Sequence, residues 1–204
     1  KNEWEAQVSA DVGTYHLYDF TAIANAPIVD DTVMLRTAWR LKRRDGDARN
    51  VAIPDGRLNG IDTISGRTTL RVKPSQAIIS DLIFTYQEDH PPATEFKSIA
   101  VPATGGDTGP FTPAAQDRPD AGIDRWIWGL TWDNRIDLAD HLALRSITGF
   151  RRVHSIEHWD GDGTAYSYII GDQNTVQKQY SEELRATWTP DPSFSVIAGG
   201  SWFH

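Results

Sequence analysis

The feature that most constrains this chain is a two-residue period in its hydrophobicity, held over segments longer than ordinary strands. Residues 3–12 place Trp4, Ala6, Val8, Ala10 and Val12 on one face, against Glu3, Glu5, Gln7, Ser9 and Asp11 on the other. Successive side chains of a strand point to opposite faces, so this is the pattern of a strand with one apolar side. The same reading applies to 32–42, where Val33, Leu35, Trp39 and Leu41 oppose Arg36, Arg40 and Lys42. In 125–136, Trp126, Trp128, Leu130 and Trp132 oppose Arg125, Thr131, Asp133 and Arg135. In 177–188, Tyr180, Leu184, Ala186 and Trp188 oppose Gln179, Ser181, Glu183, Arg185 and Thr187. With 14–25, 67–73, 77–88, 142–158 and 194–203, nine strands are expected. Helical periodicity is almost absent. Several of these segments exceed the mean strand of about 5–6 residues and could cross a bilayer at a tilt.

The connections sort by length. Ala26–Asp31, Pro74–Gln76, Asp137–His141 and Pro190–Ser193 are short. The stretches 43–66, 89–124 and 159–176 are long and rich in Gly, Pro, Asp and Thr, as in the run Pro102–Pro110. Short and long alternate, except that the first connection, near Gly13, is also short. Outer-membrane barrels have tight turns on one side of the bilayer and long loops on the other. Inside lipid every backbone N–H and C=O must be paired, which a closed barrel achieves. The fold expected is therefore all-β: part of a transmembrane antiparallel β-barrel, about nine meandering strands with long extracellular loops. Mean hydropathy of −0.46 and 39% hydrophobic residues do not oppose this, because a barrel strand shows lipid only every second residue. The alternative is a soluble carbohydrate-binding or glycan-processing β-domain, in which some of the eight Trp would stack on sugars. In the barrel reading, Trp4, Trp39, Trp126, Trp128, Trp132, Trp188 and Trp202 form lipid-facing and interfacial surface.

Other classes recede. A net charge of −8, with only Lys42, Arg43 and Arg44 clustered among the basic residues, argues against nucleic acid as a partner. With no Cys, disulfide scaffolds and thiolate metal sites are excluded. No Walker or Rossmann signature occurs, and no Ser/His/Asp arrangement can be assembled. The chain is expected not to be an enzyme and to need no cofactor. Glu182 and Glu183 are neighbours on a strand and point to opposite faces, so they cannot act as a carboxylate pair. Asp160-Gly-Asp-Gly163 has the start of a calcium loop without its further ligands and reads as a loop-tip turn. His154 and His158 share strand parity, a weak metal signal.

Four local sequences then point to a family. Asn25-Ala-Pro-Ile-Val-Asp-Asp-Thr-Val-Met-Leu-Arg36 resembles the periplasmic turn and strand of TonB-dependent outer-membrane receptors, where N-x-P leads into L-x-L-R. Leu70-Arg-Val-Lys-Pro-Ser75 is similar to their L-R-x-x-P-S turn. Leu144-Arg-Ser-Ile-Thr-Gly-Phe150 resembles L-x-S-I-T-G-Y, and Gln179-Tyr-Ser-Glu-Glu-Leu-Arg185 resembles Q-x-S-Q-E-L-R. They occur in the family's order across about 25–203. The resemblance implies a receptor that takes up ferric siderophores or other scarce nutrients at the bacterial cell outer membrane. Energy would come from the TonB–ExbB–ExbD complex through a plug domain that has no counterpart in these residues. Family barrels have 22 strands around a plugged lumen. The expectation is thus that residues 1–204 form one partial barrel domain, roughly strands one to nine. Charges opposite the apolar face should then point into the lumen, because a charge facing mid-bilayer costs about 2–4 kcal/mol. The candidates are Arg36, Arg71, Asp133, Arg135, Glu183 and Arg185, together with Glu5 and Arg40.

Overall fold

The computed structural model describes residues 2–100, 109 and 113–204. Apart from Gly109, the run Pro102–Pro110 lies outside the described residues. The strands are β1 (Glu5–Gly13), β2 (Leu17–Val29), β3 (Val33–Arg44), β4 (Ala48–Arg49), β5 (Arg57–Leu58), β6 (Ile61–Ser75), β7 (Ile78–Asp89), β8 (Gly122–Ala139), β9 (Leu142–Asp160), β10 (Ile170–Asp191) and β11 (Phe194–Phe203). Nine of them build one sheet in the order β1-β2-β3-β6-β7-β8-β9-β10-β11. Every pairing is antiparallel. The fold is therefore an all-β meander in which each strand lies beside its predecessor in the sheet. β4 and β5 form a small separate ladder inside the connection 45–60. The described residues include no helix, and none long and apolar enough to cross a membrane.

Register decides which side chains share a face, since directly opposed residues point the same way. One row runs Ala6, Ala24, Thr37, Thr68, Phe84, Leu130, Phe150, Tyr180. The next runs Glu5, Asn25, Arg36, Thr69, Ile83, Thr131, Gly149, Ser181. The first row belongs to a face that carries Leu35, Leu70, Leu82, Trp132 and Trp202; the second belongs to the polar face. Among the described residues no layer covers the apolar side. Trp132 is 52% exposed and Trp202 59%. Among the described residues the only buried hydrophobic side chains are Leu58, Ala114 and Ala115, none of them in the nine-stranded sheet. β1 and β11 do not pair with each other, so the sheet is open, with an edge at each.

Turns 30–32, 76–77, 140–141 and 192–193 gather at one end of the sheet; the connections that follow β1, β3, β7 and β9 leave from the other. The short first connection is a tight turn: Tyr15 and His16 have φ of 56° and 50°, and Leu17 N–H reaches Thr14 O at 3.3 Å. Two expected loops are shorter than the sequence suggested. Residues 61–66 extend β6, and 170–176 extend β10 against 154–160 of β9. Neither stretch has an apolar face, so alternation gave no signal. The backbone ladder holds them in the sheet, helped by polar contacts of Asp62, Thr63 and Asp172.

Trp39 supplies a local test of packing on the apolar face. Its ring covers Gly66, the residue directly opposite on β6, so closely that a Cβ there would lie 2.2 Å from Trp39 Cδ2. Gly200, on the same face of β11, has nothing within 4 Å of such a Cβ. Overpacking costs about 1–3 kcal/mol. In denaturant titrations of the folded protein, Gly66→Val is expected to lose stability by that amount, while Gly200→Val loses none.

Candidate functional site

The polar face is organised by ion pairs between neighbouring strands. Arg71 on β6 holds Asp81 on β7 with two parallel bonds, Nε–Oδ1 at 2.7 Å and Nη2–Oδ2 at 2.6 Å. Arg145 on β9 holds Asp133 on β8 in the same way, at 2.9 and 2.6 Å. Arg135 reaches Asp137 at 3.3 Å, and Arg185 pairs with Glu183 on its own strand. Higher on the sheet, Arg40 forks onto Asp19, with Lys42 at 3.6 Å. Asn25 bridges Glu5 and Arg36, donating to the first and accepting from the second. Planar guanidinium–carboxylate forks fix geometry as well as charge.

All eight charged candidates from the sequence lie on this face. Arg71, Asp133, Arg135 and Arg185 line one cavity of about 490 Å³, together with Asp81 and Arg145. Arg36 lines a neighbouring one with Arg67, and the two cavities share Arg71 and Asp81. Glu183 is not on either lining and meets the group through Arg185. A further pair was not anticipated. Asp89, only 4% exposed, receives Arg125 Nη2 at 2.8 Å, Thr63 Oγ1 at 2.8 Å and Gln87 Nε2 at 2.9 Å.

At the other end the three long connections are tied to one another. Asn50 and Gln116, both buried, exchange side-chain-to-backbone bonds of 2.8 and 3.0 Å. Ser98 N–H donates to Gly163 O at 3.1 Å. Arg118 donates to Gly171 O at 2.8 Å and also holds Asp120 and Asp172, and the guanidinium keeps the Asp120 carboxyl below its ordinary range. The Asp-Gly-Asp-Gly motif fastens its own loop. Asp160 accepts the N–H groups of Asp162, Gly163 and Asp117, each at 3.0 Å. Asp162 accepts those of Thr164, Tyr168 and Ile169. Burial opposes ionisation of Asp162, but the Thr164 hydroxyl and these N–H groups outweigh it and hold its carboxyl low. At the base of the loops lies a cavity of about 580 Å³, lined in part by Phe96, Pro92, Ile123, Trp159 and Gln116. Gln116 Oε1 is buried there and has no hydrogen-bond partner among the described residues.

His154 and His158 do not converge. His154 packs edge-on against Trp126, with centroids 5.5 Å apart, while His158 bonds Asp172. Among the described residues no group of three or more His, Asp or Glu could hold a metal ion.

No protein-family model and no curated protein sequence matches the chain. Solved structures do. The ferric yersiniabactin uptake receptor FyuA from Yersinia pestis superposes with a TM-score of 0.73 at 16% identity, covering 94% of this chain and 29% of that one. In fold the chain is similar to part of an outer-membrane receptor barrel. The ferric-catecholate import receptor Fiu from Escherichia coli K12, in its closed form, gives 0.72 at 14% identity, covering 100% of this chain and 32% of that one. The chain thus spans less than a third of either receptor.

Breaking a buried pair leaves an uncompensated charge, whereas exposed pairs contribute little. Arg125→Ala strands Asp89, partly rescued by Thr63 and Gln87. It is expected to cost about 2–3 kcal/mol in an unfolding titration, against less than about 1 kcal/mol for Arg135→Ala.

Proposed function

We propose that this chain is part of the barrel wall of a bacterial outer-membrane uptake receptor of the TonB-dependent type, with residues 1–204 contributing to one barrel domain. The observation that carries this reading is a nine-stranded meander whose apolar face is left bare while its other face is charged and cavitied. Water does not stabilise such a bare face, but hydrocarbon does. The open edges at β1 and β11 then pair with further strands of the same barrel, since unpaired backbone is not tolerated in lipid.

In this reading Arg36, Arg71, Asp133, Arg135, Glu183 and Arg185 line the lumen. Their ion pairs hold a plug domain that receives energy from TonB, ExbB and ExbD. The tethered loops and the cavity beneath them face the exterior and contribute to binding a ferric siderophore or a similarly scarce nutrient. The wall itself performs no covalent chemistry and needs no cofactor. The two superposing proteins are a ferric yersiniabactin uptake receptor and a ferric-catecholate import receptor, which supports the cargo class. A soluble glycan-binding domain would require a second layer over the apolar face, and the described residues supply none.

The test uses the full-length protein that carries this chain, expressed in cells lacking their own siderophore receptors. It is expected in the outer-membrane fraction, with slower migration after heating. Uptake of radioiron loaded on yersiniabactin or on a catecholate should appear with TonB and vanish without it. A protein recovered from the soluble fraction, or uptake indifferent to TonB, would overturn the proposal.

A further inference from the structure

Charges on the apolar face have partners, with one exception. Arg43 meets Asp62 at 3.8 Å. Glu88 accepts from Tyr86 Oη at 2.6 Å and contacts His90 at 2.9 Å. Asp124 lies 3.4 Å from His90, and Asp172 is held by Arg118 and His158. Glu182 accepts the hydroxyls of Ser146 at 2.8 Å and Thr148 at 2.6 Å. Arg152 and Lys178 stand directly opposite each other on β9 and β10, and among the described residues neither meets a carboxylate. Like charges opposed across a ladder repel. Arg152 Nε is moreover buried with no hydrogen-bond partner among the described residues.

Their surroundings are aromatic. The Arg152 guanidinium lies 5.3 Å from the Trp126 ring centroid, a cation–π position. Trp128 is its opposite neighbour on β8. One step toward the tight-turn end, Phe150 packs on Trp128 and on Tyr180, with centroids 5.0 and 4.9 Å apart. The pair therefore sits on the loop side of an apolar, aromatic band, where a membrane surface would meet its headgroups.

We infer that Arg152 and Lys178 form a site on the outside of the barrel for a lipid headgroup of the loop-side leaflet whose phosphate leaves it with a net negative charge. The inference rests on the membrane reading above. A phosphate placed between the two cations removes their repulsion. It offers acceptor oxygens to the outer N–H groups of the guanidinium, whose planar fork matches phosphate geometry, and to the point charge of Lys178. The lipid's acyl chains then lie along Phe150, Tyr180 and Leu130.

The full-length protein would be reconstituted in phosphatidylcholine bilayers with or without phosphatidic acid, and the lipid retained after mild detergent extraction measured by native mass spectrometry. Phosphatidic acid should be retained in preference to phosphatidylcholine, and retention should fall about fivefold for each cation removed in Arg152→Gln and Lys178→Gln. Arg152→Lys should restore part of it. Unchanged heat-modifiable migration shows that the variants are folded. If the folded double variant retains phosphatidic acid like the parent, or the parent retains both lipids equally, the headgroup site is wrong and the barrel reading stands. Displacement by millimolar inorganic phosphate would also overturn it, marking a soluble-anion site. Failure to insert into any bilayer would instead sink the barrel reading.

Discussion

Everything in this structure depends on a backbone ladder that runs through all nine strands of the sheet while one face of that sheet is left without cover by the described residues. A soluble sheet buries its apolar side beneath another layer, and that burial is the main stabilising term in folding. Here the buried apolar side chains among the described residues number three, all outside the nine-stranded sheet. The long strands are held by hydrogen bonds between neighbours, by cross-strand aromatic contacts on one face, and by guanidinium–carboxylate forks on the other. In water that balance would be poor. Against hydrocarbon the bare face is in its proper solvent, and the polar face becomes the interior wall proposed above.

The two ends of the sheet divide the remaining work. Tight turns at one end keep adjacent strands in register. At the other, connections far apart in sequence are knitted together by Asn50 with Gln116, Arg118 with Gly171, and Asp160 with Asp117. Asp160 and Asp162 have the look of cation ligands in the sequence. In the fold their oxygens are taken by backbone N–H groups of their own loop, which explains two acidic residues at a buried loop base without invoking a metal. The result is a braced rim above a cavity, carried on strands that are themselves rigidly paired.

Much of the sheet was legible in the sequence because its solvent constraint acts residue by residue. Trp126, Trp128, Leu130 and Trp132 alternate with Arg125, Thr131 and Asp133, and the register keeps those two sets apart. The side of the sheet taken by Arg36, Arg71, Asp133, Arg135, Glu183 and Arg185 followed from the same parity. What escaped was everything that alternation does not encode. Residues 61–66 and 170–176 are the stretches of β6 and β10 that lack an apolar face. Glu182 sits on the apolar side, made acceptable by Ser146 and Thr148 on the neighbouring strand, and no local pattern reports that pairing. Asp89 with Arg125, and the loop clamps, join residues tens of positions apart through the ladder itself. The small β4–β5 hairpin was hidden within a stretch read as loop.

The central claim is that the two faces of these strands meet different solvents, and with no Cys in these 204 residues it is measurable once any Cys elsewhere in the full-length protein is replaced by Ser. Single cysteines placed along β8 in the full-length protein can carry spin labels whose collisions with oxygen and with a water-soluble nickel chelate are read by electron paramagnetic resonance. The account predicts a two-residue period in bilayers: labels at Trp128, Leu130 and Trp132 collide with oxygen and are shielded from nickel, and labels at Thr131 and Asp133 do the reverse. Nickel access to Leu130 and Trp132 equal to that at Thr131 and Asp133 would contradict it.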